Sequence, residues 1–415
     1  MNEFNADFHI HSKYSGGCSK DMTAPNIAKG ADEKGLDIIA TGDATHPRWL
    51  AHLEDTLAPA GEGVFSYKGS LAKFLITAEV EDKDRVHQLI LFPSFDSVKQ
   101  FVSEIRSSSQ NLNSDGRPNV SMGGAELVDL TNDCDALLGP CHAFTPWTAV
   151  YKSFDSLADC YGDNLRYVKF LELGLSADSD MADTIPELAN LTFMTNSDAH
   201  SPWPHRLGRE FNRVSCKELT FKEVRQAIER KGGRGFSLNV GLNPREGKYH
   251  ETACTRCYKK FRVADAEHLK RRCPECRGII KRGVKERVGL LAKIHNEDRE
   301  PVMVHPDHRP PYEYIVPLAE VIAMSRGVQS PFSVRVQRDW KDMVERFGTE
   351  ISILLDAPIA DLRAYDQKVG DIIAAFRAGK ILYDAGGGGR YGRPLFNKPL
   401  KEDFYDSTQK TLAEY

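Results

Sequence analysis

The chain has 415 residues, 41% hydrophobic and 27% charged, with a formal net charge of −4. That length exceeds what one hydrophobic core usually serves, so two or three domains are expected. It contains no membrane-length apolar run, and MNEFNADFHIH lacks the basic start and apolar stretch of a signal peptide, so a cytoplasmic protein without membrane contact is expected.

In chain order, NADFHIHS comes first and sets Asp7, His9 and His11 at alternate positions. A β-strand turns alternate side chains to one face. The runs LDIIATGD, KFLITAEVE, VHQLILFP, ALLGPCHAF, VKFLELGLS and LTFMTNSDAH read as further strands, separated by amphipathic or Ser/Pro/Gly-rich segments. This alternation predicts an α/β fold, a β/α barrel over residues 1–243 with parallel strands. RSSSQNLNSDGRPNV, residues 106–120, is polar and turn-rich and reads as a loop or insertion.

The strand ends carry the chemistry. His9 and His11 end the first, Asp43 the next with His46 three residues on, and Glu79 ends KFLITAEVE. His87 begins VHQLILFP, His142 ends LLGPCHAF, Glu172 lies in KFLELG, and Asp198 and His200 close TFMTNSDAH. A β/α barrel gathers its strand ends on one face, where imidazoles and carboxylates suit divalent cations. So many buried ionisable groups without a metal would carry a heavy desolvation cost. Asp198 is the best candidate for binding metal and orienting the nucleophile, with His200 and Glu79 beside it, and Asp7 is expected to steady a ligating imidazole. His205 and Arg206 are candidates for phosphate contact or plain surface charge.

The nine cysteines are an odd count, better explained in a reducing compartment as metal ligands plus buried thiols than as disulfides. Cys254, Cys257, Cys273 and Cys276 form C-x2-C-x15-C-x2-C, the spacing of a closed, structural Zn²⁺ site in a small domain over 244–286. Residues 245–287 hold 14 Lys and Arg against 6 Asp and Glu, a basic island in an acidic chain. Lys259, Lys260, Arg271 and Arg272 are candidates for gripping a phosphate backbone. Residues 287–415 read as helical and end in GGGGRYGRP. Its glycines are either slack or a close approach to phosphates, with Arg390 and Arg393 supplying charge and Tyr391 a stacking face. Arg309, Tyr312 and Tyr314 form a similar basic-aromatic stretch.

HIH, Asp43, Glu79, His87, His142 and NSDAH, in that order, resemble the motifs of the PHP (polymerase and histidinol phosphatase) superfamily. The resemblance implies a distorted barrel hydrolysing phosphoesters with two or three divalent metals, Zn²⁺, Mn²⁺ or Mg²⁺. YSGGCS departs from that pattern, since Gly16 and Gly17 cannot ligate. Thr41-Gly42-Asp43 puts Asp43 where the superfamily sets a ligating His, so Asp43 is expected as a ligand and His46 as a further candidate.

With the four-cysteine segment and the helical end, nearly the whole chain resembles the endonuclease Q family of DNA repair nucleases. That resemblance implies cleavage 5′ to uracil, hypoxanthine, xanthine and abasic sites, leaving 3′-hydroxyl and 5′-phosphate after the nucleotide is flipped. The expected partners are damaged DNA and a replication sliding clamp. A flipped base needs a pocket, sought in residues 174–180 and near Thr145 and Pro146, with Glu172 and Ser176 as polar candidates and Trp147 as a stacking one. Trp49 and Trp203 are stacking or core candidates. Two rivals stand beside this reading: a phosphatase of a small phosphomonoester, and a non-catalytic zinc-dependent DNA-binding protein.

Overall fold

A computed structural model describes residues 1–297 and 299–396. The central sheet is built from β1 (Asn2–Asp7), β2 (Ile38–Ala40), β3 (Leu57–Gly61), β4 (Val64–Tyr67), β5 (Lys73–Glu81), β6 (His87–Phe92) and β7 (Leu137–Pro140). The chain continues through β8 (Phe170–Glu172), β9 (Thr192–Met194), β10 (Phe211–Cys216) and β11 (Gly235–Gly241). β1, β2 and β5 run parallel, with Ala6 opposite Ile38 and Ile39 opposite Phe74. β8 and β9 pair in parallel, with Leu171 opposite Phe193.

The order is that of a distorted barrel. β7 hands over to β8 where Ala143 N–H donates to Glu172 O, and β9 returns to β1 where His11 N–H donates to Ala199 O, both at 2.9 Å. One buried cluster confirms the closure, drawing Ala6, Phe8, Ile38, Leu75, Leu89, Leu137, Phe170, Met194 and Val214 from eight strands.

The barrel is not parallel throughout. β5–β6, β6–β7 and β1–β10 are antiparallel. The reason is local: residues 82–86 between β5 and β6 are too few for a helical crossover, so the chain turns straight back. Reversal also explains His87. It begins β6 at the end of the barrel where β5 finishes, paired opposite Glu81, so the start of a strand contributes to a site made of strand ends.

The four cysteines lie between the short strands β12 (Ala253–Cys254) and β13 (Ile280–Lys281). Their buried cluster is small, Cys254, Ala266, Cys273 and Ile280. Beyond them the chain returns to the barrel. Val284, Val288, Leu291 and Ala292 of helix Val284–His295 join its outer core, and β14 (Tyr312–Tyr314) adds in parallel to β11. Helices Leu318–Arg326, Val334–Phe347 and Gln367–Arg377 then pack with helices Ala24–Lys34 and Pro47–Thr56 in one apolar layer. Within it lies a buried ion pair, Lys34 Nζ to Glu350 Oε1 at 2.7 Å, with Trp340 Nε1 donating to Glu350 Oε2 at 2.6 Å. Among the described residues no helix is long and apolar enough to cross a membrane.

Candidate metal centre

The strand ends converge. His9, His11 and Asp198 offer ligand atoms within 4.8 Å of one another, and so do Glu79, His87 and His142. Glu79 joins the two sets, with Oε2 3.3 Å from His11 Nε2 and Oε1 2.6 Å from His87 Nδ1 and 3.2 Å from His142 Nε2. Asp198 Oδ1 lies 3.1 Å from His11 Nε2. His9 and His11 are buried, yet the Nε2 of each has no hydrogen-bond partner among the described residues. Buried lone pairs turned toward carboxylates are what a cation requires, so the residues fit a metal centre of two positions.

Each imidazole is held from behind. Carboxylates only accept, so His9 Nδ1–H donates to Glu172 Oε1 and His11 Nδ1–H to Asp43 Oδ1, both at 3.0 Å. His87 Nε2–H donates to Glu81 Oε2 at 3.1 Å and His142 Nδ1–H to Thr145 Oγ1 at 3.3 Å. His200 Nδ1–H donates to Asp198 O at 2.9 Å. His9, His11, His87 and His142 thus each have one nitrogen held from behind and the other turned toward Glu79 or Asp198.

The backbone is bent to make this possible. Asp43, His142 and Asp198 have φ of 49°, 30° and 47°, a left-handed conformation that side chains rarely adopt. Three such residues at one site mark a locally strained loop set, held because the surrounding barrel over-determines it.

The charges are strongly coupled. Burial alone would push His9 down, but Glu172, Glu79 and Asp198 outweigh it and lift it to about 9. Burial works against the Glu79 carboxylate, yet His87, His142 and His9 hold it well below its ordinary range. Asp198 is likewise lowered against its burial, by His11, His9 and His200.

Several expected roles change. Asp43 stands behind His11, also accepting from Ser12 N–H and Oγ–H at 2.6 Å, instead of joining either ligand set. His46 joins neither set and stacks on Tyr14 with ring centroids 4.3 Å apart. Asp7 holds backbone, not an imidazole, accepting N–H bonds from His9, Ser197 and Gly208. Burial lifts it to about 6. Glu172 is committed to His9, Asn196 Nδ2 and the His142 N–H, which leaves it no edge for a base. Trp49 is a core residue whose indole donates to Gly42 O at 2.8 Å. His205 packs edge-on against Phe332, and partial burial brings it down to about 4. Arg309 is buried too, chelating Asp183 at 2.8–3.2 Å.

The sequence reading missed Arg117, whose Nη1 donates to Glu79 Oε2 at 3.0 Å, and Glu81. The E-x-E of β5 was a usable signal, since alternate residues share a face; nothing local to residues 106–120 announces Arg117.

The four thiols also come together, with Cys254 Sγ 3.4 Å from Cys276 Sγ and Cys257 Sγ 3.6 Å from Cys273 Sγ. Those separations suit four sulfurs around one ion and exclude disulfides. The basic island is less free than its composition suggests. Lys259 pairs with Glu275, Lys260 with Asp384, and Arg271 with Glu267 and Glu286. Arg272 is exposed with no ion pair among the described residues. Arg390, Tyr391 and Arg393 are exposed, Arg393 at 3.9 Å from Asp384. The glycines beside them serve protein backbone: a Cβ on Gly388 would meet Cys254 O at 2.3 Å, and one on Gly392 would meet Arg245 O at 2.0 Å. Close backbone packing onto the four-cysteine segment is their reason, not slack. Ser176 is nearly buried, and Trp147 is 54% exposed with Lys281 Nζ 4.1 Å over its ring.

With this geometry in hand, relatives can be named. A family model, MJ0043 C-terminal domain, matches residues 317–380. The uncharacterised protein MJ0043 of Methanocaldococcus jannaschii is 45% identical over 269 residues, 64% of this chain and 32% of that protein, so this chain aligns with about a third of that relative. The uncharacterised YqxK of Bacillus subtilis is 28% identical over 95% of this chain and 99% of its own. The crystal structure of PfuEndoQ, a lesion-specific endonuclease from Pyrococcus furiosus, superposes with a TM-score of 0.90 at 45% identity, covering 97% of this chain and 99% of that one. Endonuclease Q bound to a 27-mer duplex with an abasic lesion at its active site gives 0.89 at 44% identity, covering 97% and 100%. Identity at that level over nearly the full length of both chains decides the matter: this chain belongs to the endonuclease Q family.

Proposed function

We propose that this protein is a metal-dependent, lesion-specific DNA endonuclease. It hydrolyses the phosphodiester 5′ to abasic sites and deaminated bases (uracil, hypoxanthine, xanthine), leaving 3′-hydroxyl and 5′-phosphate. The observation that carries the reading is the placement of Glu79 between His11 and Asp198 on one side and His87 and His142 on the other.

His9, His11, Asp198 and His200 would hold one cation and Glu79, His87 and His142 a second. Bound there, divalent cations supply Lewis acidity toward a phosphoryl oxygen and lower the pKa of water. The protein's own part is orientation. Glu172, Asp43, Glu81 and Thr145 keep each imidazole in one tautomer, so no reorganisation is required as charge develops. Asp198, with its side chain 32% exposed, would bind metal and orient the attacking water. Among Zn²⁺, Mn²⁺ and Mg²⁺, the imidazole-rich barrel centre favours Zn²⁺ or Mn²⁺, and Zn²⁺ suits the four thiolates.

A stacked base cannot reach the centre, so the damaged nucleotide is extruded, at lower cost for a mispaired or missing base. Residues 174–180 with Ser176, and Trp147, line its destination. Arg272, Arg390, Tyr391 and Arg393 grip the backbone. The chain divides into three units, a barrel over 1–243, a four-cysteine ribbon over 244–286 and a helical end from 287, with helix Val284–His295 and β14 packing on the barrel. The relatives support a DNA partner and say nothing of a sliding clamp.

The test is incubation with Mg²⁺ or Mn²⁺ and four substrates: abasic duplex, uracil-containing duplex, undamaged duplex and a small phosphomonoester. Nicking of the first two alone, with ligatable 5′-phosphate ends, is expected. Monoester hydrolysis without nicking would make the protein a phosphatase, and binding without hydrolysis a DNA-binding protein with a silent barrel.

A further inference from the structure

The polar loop 106–120 is ordered by its own side chains. Asn111 Nδ2 donates to Arg117 O at 3.1 Å, and Asn111 Oδ1 accepts from Asn119 N–H at 2.7 Å. Residues 118–120 then extend the edge of β5, with Glu81 N–H donating to Pro118 O at 3.0 Å and Val120 N–H to Glu81 O at 2.9 Å. Across the mouth, Gly116 N–H donates to Tyr14 O at 3.1 Å. Gly116 is there because nothing larger fits: a Cβ would come within 2.4 Å of the Asp43 carboxylate and of Ser15 Oγ.

The loop is therefore fixed on both sides of the barrel, and between its two attachments it turns Arg117 inward. Arg117 Nη1 reaches Glu79 Oε2 at 3.0 Å, yet its side chain is 27% exposed where that of Glu79 is 1%. One edge of the guanidinium touches the metal centre and the other faces water. Of its five N–H donors, one is taken by Glu79, and no other described residue accepts from the side chain. Glu79, which also serves His11, His87 and His142, acts with Asp198 and Asp115 to more than offset the cost of drawing an arginine into this site, so the guanidinium stays charged there. The arrangement leaves a rigid, cationic fork open toward solvent beside two cation positions. Phosphate is the anion whose geometry matches that fork.

We propose that Arg117 is a phosphate-binding residue of this centre, holding Glu79 with one donor and a non-bridging oxygen of the scissile phosphate with the others. Loop 106–120 is the device that delivers it. The proposal rests on reading the centre as a phosphodiesterase. In the reaction, the guanidinium neutralises charge on the equatorial oxygens as the attacking oxygen approaches and the leaving oxygen departs. An arginine that only steadied Glu79 would be needed for metal retention and not for phosphate, so the two roles separate by measurement.

Arg117→Ala and Arg117→Lys are compared with the wild type, all loaded with Mn²⁺, for metal content, inorganic-phosphate affinity and nicking of abasic duplex. The expected result is unchanged metal content, phosphate affinity lowered about tenfold or more in the Ala variant and less in the Lys variant, and kcat/KM reduced by roughly 10²–10³-fold in the Ala variant. Unchanged phosphate affinity would overturn the proposal, and so would metal loss in proportion to activity. Should the Ala variant fail to fold, the Lys variant decides by the same readouts, since it keeps the charge and loses the fork. Should the wild type nick no DNA, the endonuclease reading fails on its own, while phosphate affinity still judges Arg117.

Discussion

The barrel centre and the four-cysteine ribbon both gather metal ligands, by opposite means. The ribbon takes four thiols from one short stretch, and its buried cluster of Cys254, Ala266, Cys273 and Ile280 includes two of those thiols. So small a segment cannot bury enough apolar surface to fold alone, so an ion held by its four thiols would be a structural element. The barrel takes its ligands from segments spread between His9 and His200 and holds them with a continuous core and hydrogen bonds from behind. In one region a metal would make the fold; in the other the fold makes the site.

The strongest way to break that contrast is to remove a barrel ligand. Asp198→Asn should lower nicking by at least about 10³-fold, the upper range for losing one transition-state interaction, while circular dichroism and the unfolding midpoint stay close to the wild type. A rate near wild type would end the mechanism; a collapse of the fold would end the claim that the barrel stands without its full ligand set.

The complementary change is Cys273→Ser, or chelation of the ribbon ion. Limited proteolysis should then cut selectively within residues 254–282, because a structural zinc site supplies on the order of 10 kcal/mol of folding free energy to its segment. Affinity for DNA should fall while the barrel stays resistant. Cleavage spread evenly through the chain would show that the ribbon and barrel are not independent in this way.

The same contrast explains what the sequence could and could not say. The cysteines were legible because their spacing is itself the geometry. His9, His11, Glu79, His87, His142 and Asp198 were legible as an ordered set, because strand ends of a barrel must meet. Asp43 was placed correctly in space but in the wrong role: its carboxylate lies behind His11, and only the left-handed turn at residues 42–43 decides that. Glu172 was read as a base contact, whereas its carboxylate is taken up by His9, Asn196 and the His142 N–H. Arg117 was invisible, since it reaches the site through a loop whose path depends on Gly116 fitting against Asp43. The antiparallel turn at 82–86 was countable in the sequence, yet helix-rich barrels made parallel strands the default expectation.

The side chains behind the imidazoles sharpen the comparison, since the ribbon thiols are supported by backbone N–H groups instead, Arg256 N–H donating to Cys254 Sγ at 3.4 Å among them. Glu172→Ala and Asp43→Asn should each weaken barrel metal binding by roughly 10–100-fold, the usual cost of losing such a partner, and leave ribbon metal untouched. Glu81→Gln should cost less, because Glu81 is 13% exposed and water can replace it. Metal titration of the apo protein resolves the two classes of site. Equal losses at both would mean that these residues stabilise the chain generally.

The smallest effect concerns protonation. The barrel also buries carboxyls outside the metal centre. Glu210 accepts from Leu242 N–H at 2.9 Å through Oε1, and burial pushes it up to about 8. An unfolded glutamate titrates near 4.3, so between that value and about 8 the folded chain keeps a proton that the unfolded chain has released. Folding is therefore favoured at low pH, and this contribution is lost as pH rises through 8. The slope is at most about 1.4 kcal/mol per pH unit for one group. Glu210→Gln keeps the acceptor for Leu242 and removes the titration, so its unfolding midpoint should fall less steeply than that of the wild type between pH 6 and pH 8. Parallel pH profiles would mean that Glu210 is ionised in the folded barrel, and that Arg209 beside it repays the cost of burial.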